Sequence, residues 1–335
     1  MDVAIVGASG YAGSELYRLT DAHPDLNVVV ATGASQAGRR VSEAVPALAA
    51  IARDQRYAPT EAALAADIDT AFIALPHGES QSLVPGLLAR GVRVVDLGAD
   101  FRLPDAATYA RWYGHEHVAP EHLGDAVYGL VERHRHELPG ARLVAAPGCY
   151  PTASILALGP FADAGLLEGG TVIVNALSGT SGAGRALSER LQFSRLAGNA
   201  EAYGLLTHRH TAEMEMELGE GVLFTPHLVP VSRGMLVTAY ARVRDRDLDP
   251  LALLREAYAD EPFVVVQDEP PALKDAVGSN LCIVSARLDP RTGWLIAMSA
   301  IDNLIKGAAG QAIQAWNVAT GLAEITGLPR AGVTP

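Results

Sequence analysis

The sequence predicts an α/β protein built from a doubly wound parallel-sheet domain and a second, α+β domain with a mixed sheet. Three observations carry this. Short apolar runs alternate with helical stretches through the first half; a glycine-rich turn follows the first run directly; beyond residue 148 the runs lengthen, partly alternate and have few helices between them. A length of 335 residues suits two domains better than one.

Taken in order, residues 2–6 (DVAIV) read as the first strand, 7–13 as the turn and 12–22 as a helix stopped by Pro24. Strands follow at 27–31, 70–75, 93–97 and 143–146, apolar enough for burial on both faces. The later strands are read at 172–177, 222–228, 235–243, 263–266, 281–288 and 294–301. A closing helix over 302–323 sets Leu304, Ala308, Ala312 and Trp316 on one face, which is expected to pack on the first domain. The expected division is 1–148 with 302–335, and 149–301.

Composition excludes several classes of function. A net charge of -12 repels a polyanion, so nucleic acid is not an expected partner. No apolar run of about 18 residues occurs and the N-terminus carries no basic leader, so neither membrane insertion nor export is expected. The two cysteines, Cys149 and Cys282, stand in unlike contexts, which suits free thiols in the reducing cytoplasm.

GASGYAG at 7–13 follows a strand and opens a helix, where a dinucleotide fingerprint belongs, although its spacing is GxxGxxG. The cofactor-binding candidates there are Gly7, Ser9, Gly10, Tyr11, Ala12 and Gly13. A site for NAD would put a carboxylate after the second strand, to accept from the ribose hydroxyls. Residues 26–42 contain none and offer Ser35, Arg39 and Arg40, which suit the 2′-phosphate of NADP. The first domain is therefore expected to be a Rossmann-type NADP-binding domain. LPHGES at 75–80 ends another strand, so Pro76, His77 and Gly78 are expected to line the cofactor cleft.

APGCYPTAS places Cys149 between a strand end and the start of an apolar helix. There the helix dipole favours the thiolate, and free N–H groups can stabilise an oxyanion. Cys282, within the strand NLCIVSA, reads instead as an inert core thiol. A nucleophilic thiol needs a proton acceptor. Six of the ten histidines lie in pairs at 115/117, 134/136 and 208/210. No matching set of cysteines or carboxylates accompanies them, so a metal site is not expected. The 134/136 pair reads as a solvated helix face. The 208/210 pair lies in the second domain, where a partner for Cys149 belongs, leaving His208 and His210 as acid–base candidates. SGTSGAGR at 178–185 is a second glycine-rich loop after a strand, and Ser178, Gly179, Gly182 and Ala183 are candidates for contact with the cofactor.

These segments, with VVDLGADFRL, WYGHEH, VYGL, HRHTAE, FTPHLVPVSRG, VGSN and IDNLIKGAAGQA, resemble in kind and order the N-acetyl-gamma-glutamyl-phosphate reductases of arginine biosynthesis. The aspartate-semialdehyde dehydrogenases are a more distant likeness. The resemblance implies that Cys149 displaces phosphate from an acyl phosphate to give a thioester, which NADPH reduces to the semialdehyde. It implies His210 as the acid–base residue with His208 beside it, and Arg102, Arg185, Tyr150 and Ser154 toward the substrate. It also implies Asn303 near the cofactor, a catalytic domain that also serves oligomerisation, and a homodimer or homotetramer. One departure stands out: the strand before the second glycine loop has Asn175 and Leu177 where the family usually has an acidic residue and a lysine. That bears on the substrate tail, and an aminoadipyl phosphate on an acidic carrier protein is the alternative substrate. A non-enzymatic NADP-binding regulator is the alternative outside enzymes.

Overall fold

The computed structural model describes residues 1–333, in which two compact units separate: Met1–Pro147 with Ala308–Leu328, and Gly148–Gly307 with the C-terminal residues from Pro329. Residues 302–307 and those after 328 thus fall in the second unit, whereas the sequence grouped them with the first. Hydrogen bonds account for this. Asp302 accepts from Gly278 N–H, Asn280 N–H donates to the Pro329 carbonyl, and Val333 N–H donates to the Val277 carbonyl.

The first unit holds a six-stranded, all-parallel sheet in the order β2-β1-β3-β4-β6-β5. Its strands are β1 (Asp2–Val6), β2 (Asn27–Ala31), β3 (Thr70–Ile73), β4 (Arg93–Asp96), β5 (Ala126–Tyr128) and β6 (Leu143–Ala145). In β3 every residue is buried, as the near-continuous apolar sequence requires. β2, at the sheet edge, alternates exposed and half-buried residues up to its buried last residue. β5 is only three residues long and escapes a reading based on apolar runs. Helix α1 (Tyr11–Asp21) begins one residue earlier than expected, and α2 (Ala106–Tyr113) starts on Asp105, whose carboxylate accepts from Thr108 N–H at 2.8 Å.

The closing helix differs from the sequence reading. It begins with a π turn over Ile305–Ala309, and the α-helix proper covers only Gly310–Ala319. Asp302 Oδ1 accepts from the N–H groups of Leu304 and Ile305, and Gly307 N–H reaches back to the Asp302 carbonyl at 3.0 Å, five residues away. In the first unit the helix buries Trp316, whose Nε1–H donates to Thr70 Oγ1 at 3.1 Å beside Phe72.

The second unit holds a seven-stranded mixed sheet in the order β11-β12-β13-β10-β7-β9-β8. Its strands are β7 (Thr171–Ser178), β8 (Glu201–Ala202), β9 (Gly221–Leu228), β10 (Met235–Arg242), β11 (Val264–Val266), β12 (Cys282–Asp289) and β13 (Trp294–Ile301). β7 runs parallel to β9 and β11 to β12; the other pairs are antiparallel. Helix α3 (Cys149–Asp163) packs across β10, β12 and β13, and is buried almost without break from Tyr150 to Phe161. Pro160 within it has no N–H for the Leu156 carbonyl, and the Tyr258 hydroxyl donates there instead at 2.7 Å. Among the described residues, no helix is long and apolar enough to cross a membrane.

Candidate active site

In the first unit the dinucleotide candidates gather at one place in the sheet. The chain passes from β1 to β2 on one side and then to β3 on the other, so the carboxyl ends of β1 and β3 flank a topological switch point. GASGYAG follows β1, and LPHGES follows β3. Gly7 has φ +85, and a side chain there would meet the Ala74 carbonyl oxygen at 2.4 Å. A Cβ on Gly13 would lie 2.2 Å from the Gly7 oxygen, so helix and turn touch with no room for a side chain. Gly10 is the N-cap of α1, Tyr11 is 44% exposed at its first turn, and Ala12 follows. This cradle, open at a helix N-terminus, fits a pyrophosphate.

After β2 no carboxylate is in place. Buried Thr32 spends its hydroxyl on Gly7 N–H at 3.0 Å, and Gly33 lies against Ser9. Ser35, Arg39 and Arg40 are exposed in the loop beyond. Arg39 is steadied there by the Gln36 side chain and the Glu43 carbonyl. Pro76 leads into His77, which lies edge-on to Tyr113, and Gly78, at φ +84, donates its N–H to both oxygens of Asp100 at 2.7 and 2.9 Å. Arg102 belongs to the same unit; it is 8% exposed and donates to the Leu97 carbonyl at 2.8 Å, so its guanidinium is largely enclosed. Of the paired histidines, His117 is buried with Nε2 2.8 Å from the Asp100 carbonyl, a structural tie.

The second unit brings the thiol and the imidazoles together. Gly148 caps α3 and Cys149 is its first residue, half-buried, while Cys282 is fully buried in β12. Helix α4 (His210–Leu218) packs against α3. Its first residue, His210, presses on Gly148: a Cβ at that glycine would lie 2.5 Å from His210 Nε2. One turn along α4, fully buried Glu213 accepts from Gly148 N–H through Oε2 at 2.9 Å and sets Oε1 3.9 Å from His210 Nε2. The carboxylate therefore holds the backbone before the thiol and also faces the imidazole.

His208 stands beside His210, ring centroids 4.8 Å apart, and its Nδ1 accepts from the His210 N–H at 3.3 Å. That bond leaves Nε2 as the proton-bearing nitrogen of the neutral ring. Tyr150, Tyr203 and Phe224 surround His208 edge-on. The Tyr150 and Tyr203 hydroxyls are 2.7 Å apart, and burial pushes both phenols up, Tyr203 to about 12. Both remain neutral hydrogen-bonding groups at ordinary pH. Leu206, just before the pair, holds φ 61, a strained value for a leucine.

The second glycine loop is strapped to residues 230–234. Gly179, Thr180 and Ser181 donate their N–H groups to Gly234, Val231 and Ser232, and Gly179 has no space for a Cβ against the Arg233 backbone. Asn303 clamps the two segments, accepting from Gly234 N–H at 2.8 Å and donating to Ser181 Oγ at 2.9 Å. Ser178 is buried, while Gly182, Ala183 and Arg185 lie exposed on the rim. Ser154, by contrast, is fully buried inside α3 with no hydrogen-bond partner for its hydroxyl among the described residues, so the expected substrate contact is not available to it.

Sequence reasoning missed Glu213, Gly148, Gly307 and Arg233. Glu213 had a signal, since it lies three residues after His210 on one helix face. Gly307 had none: it matters because a Cβ there would meet Cys149 Cβ at 2.7 Å. Arg233 pairs with buried Asp302 at 3.2 Å beside the second glycine loop.

Comparison with known proteins agrees in both units. The family profile described as semialdehyde dehydrogenase, NAD binding domain, matches residues 2–141, and that described as semialdehyde dehydrogenase, dimerisation domain, matches residues 149–303. The chain is similar to the N-acetyl-gamma-glutamyl-phosphate reductases of Dehalococcoides mccartyi (45% identical, covering 99% of this chain and 98% of the relative) and Symbiobacterium thermophilum (46%, 98% and 98%). Among solved structures, aspartate semialdehyde dehydrogenase II of Vibrio cholerae matches with a TM-score of 0.71 at 17% identity, over 95% of this chain and 97% of that one. That last likeness concerns the fold.

Proposed function

Since this chain belongs to the N-acetyl-gamma-glutamyl-phosphate reductase family, and is thus an oxidoreductase, we propose that it reduces N-acetyl-gamma-glutamyl phosphate to N-acetylglutamate 5-semialdehyde with NADPH, through a thioester on Cys149. The observation that carries the reading is the seat of the thiol: Cys149 opens a buried helix whose preceding glycine is covered by His210 and tied to Glu213.

At the first turn of α3 the helix dipole favours a thiolate. The Cys149 sulfur attacks the acyl carbon, the carbon–sulfur bond forms, and the bond to phosphate breaks with inorganic phosphate as leaving group. His210 takes the thiol proton and returns it to the oxygen that becomes the thiohemiacetal hydroxyl. Glu213 lends negative charge to that imidazolium at each transfer. Collapse of the thiohemiacetal breaks the carbon–sulfur bond and releases the semialdehyde. NADPH, when bound, supplies the hydride to the thioester carbon.

Gly7, Gly10 and Gly13 with Ser9, Tyr11 and Ala12 hold the pyrophosphate end, and Ser35, Arg39 and Arg40 the 2′-phosphate. Pro76, His77 and Gly78 and the loop of Ser178, Gly179, Gly182 and Ala183, steadied by Asn303, line the rest. His208, Tyr150, Arg102 and Arg185 serve the substrate. The profile over 149–303 supports self-association as a homodimer or homotetramer.

The test is the reverse reaction: phosphate-dependent oxidation of N-acetylglutamate semialdehyde with NADP, run beside aspartate and aminoadipate semialdehydes and with NAD. The aminoadipate arm addresses Asn175 and Leu177 in β7. Preference for N-acetylglutamate semialdehyde and NADP is expected; turnover of another semialdehyde alone, or turnover without phosphate, would overturn the assignment.

A further inference from the structure

A buried cluster at the carboxyl end of β4 takes no part in the steps above. Asp96 ends the strand and Asp100 lies in the loop that follows, both fully buried. Ser80 Oγ stands between them, 2.9 Å from Asp96 Oδ2 and 2.7 Å from Asp100 Oδ2. A serine hydroxyl carries one proton, and an ionised carboxylate only accepts. With both acids ionised, one of the two contacts would set two acceptors face to face with no proton between them.

One added proton completes the chain, and the surrounding donors decide where it sits. Asp100 Oδ1 accepts from Gly78 N–H at 2.7 Å and Tyr109 O–H at 2.8 Å, and its Oδ2 lies 2.9 Å from the same N–H. Gln81 Nε2 donates to the Tyr109 oxygen at 2.8 Å, which leaves the phenol proton for Asp100. Such donors favour an ionised Asp100. The proton then belongs on Asp96 Oδ2, donating to Ser80, which donates to Asp100. The other Asp96 oxygen accepts from Gly98 N–H at 2.8 Å.

We propose that Asp96 is a neutral carboxylic acid in the working protein, and that the chain Asp96–Ser80–Asp100 is the positioning device that holds the Pro76–Gly78 turn for the dinucleotide. The second half rests on the assignment of that turn to the cofactor made above. Asp96 and Asp100 act through Gly78 and touch no reacting atom. The groups that face Asp96 are Asp100 and Arg102 from its own loop and Ser80 from the turn after β3; Tyr109 of α2 and His117 reach Asp100. Burial and the Asp100 charge push Asp96 up to about 7, so the proton leaves near neutrality. Its loss puts two charges around one hydroxyl and weakens the hold on Gly78.

The experiment follows backbone hydrogen exchange in residues 76–80, corrected for intrinsic rates, and the KM for NADPH in the full-length protein at about pH 6 and about pH 8. In Asp96→Asn the amide N–H donates to Ser80 at every pH. The unmodified protein is expected to lose protection and raise KM several-fold at the higher pH, while Asp96→Asn stays flat in both. Ser80→Ala is expected to show the raised KM at both. Identical pH profiles in Asp96→Asn and the unmodified protein would overturn the proposal. Exchange that shifts while KM stays constant would overturn its cofactor half, and with it the assignment of residues 76–78, leaving the proton on Asp96. If Asp96→Asn does not fold, infrared spectroscopy of the unmodified protein decides: a carboxylic-acid carbonyl band persisting at about pH 6 and titrating out near pH 7 is expected, and its absence overturns the proposal.

Discussion

The imidazole of His210 occupies the space that a side chain at position 148 would need, its Nε2 2.5 Å from where a Cβ on Gly148 would stand. Gly148→Ala must therefore push the ring away from the start of α3. A displacement of about 1 Å in a catalytic group can cost roughly 100-fold in rate. Steady-state kinetics are expected to show a fall in kcat of that order, with NADPH binding by fluorescence unchanged.

Cys149→Ser keeps the shape of the helix start and replaces the sulfur with a hydroxyl that does not ionise at neutral pH. Turnover is expected to fall to background while NADPH still binds. Activity at the unmodified level would end the case for covalent catalysis.

Glu213 separates two roles when substituted in two ways. Glu213→Ala strands the buried Gly148 N–H, at a cost of about 1–3 kcal/mol in unfolding free energy. Glu213→Gln keeps an acceptor for that N–H but removes the charge facing His210. Denaturant unfolding is expected to show a clear loss for the alanine variant and a small one for the glutamine variant, with kcat reduced in both.

Removing the exposed cations after β2 tests the choice of cofactor. A charge-assisted hydrogen bond contributes about 1.5–3 kcal/mol, which is roughly tenfold or more in affinity. Changing Arg39 and Arg40 together to neutral residues is expected to lower the NADPH-over-NADH ratio of kcat/KM by at least that factor, through KM. Equal kinetics with both cofactors in the unmodified protein would contradict the reading.

Asp96 makes a prediction about stability that is independent of catalysis. Its carboxyl titrates near 3.8 when unfolded and at about 7 when folded, so folding takes up a proton between those values. The contribution of this group is complete below the lower value and is lost as pH rises through the upper one. Relative to the unmodified protein, Asp96→Asn is expected to gain up to about 1.4 kcal/mol per pH unit across that window. Chemical denaturation at several pH values measures the difference.

Much of this was legible from sequence because the relevant residues have few alternatives. Gly7 and Gly13 are glycines because carbonyl oxygens occupy the side-chain space, and a turn of that kind after a strand is conspicuous in the chain. β5 and β8 were missed because three and two residues carry no period. The closing helix was read too long because Asp302 spends its carboxylate on the turn, and the π turn leaves no mark on apolar spacing. Gly148, Gly307 and Glu213 owe their importance to neighbours that only folding supplies, whereas Cys149 announced itself by standing between a strand end and a helix start.

The π turn also constrains how this chain can change. A bond spanning five residues instead of four means that Ile305–Ala309 hold one residue more than an ordinary helix would need. Removing any single residue there would turn everything downstream by about 100° about the helix axis. Trp316 would swing away from Thr70, and Asn317 from His23, with which it is now paired at 3.0 Å. The surplus residue therefore sets the angular phase of the helix that follows, and a deletion at this point would act as a rotation.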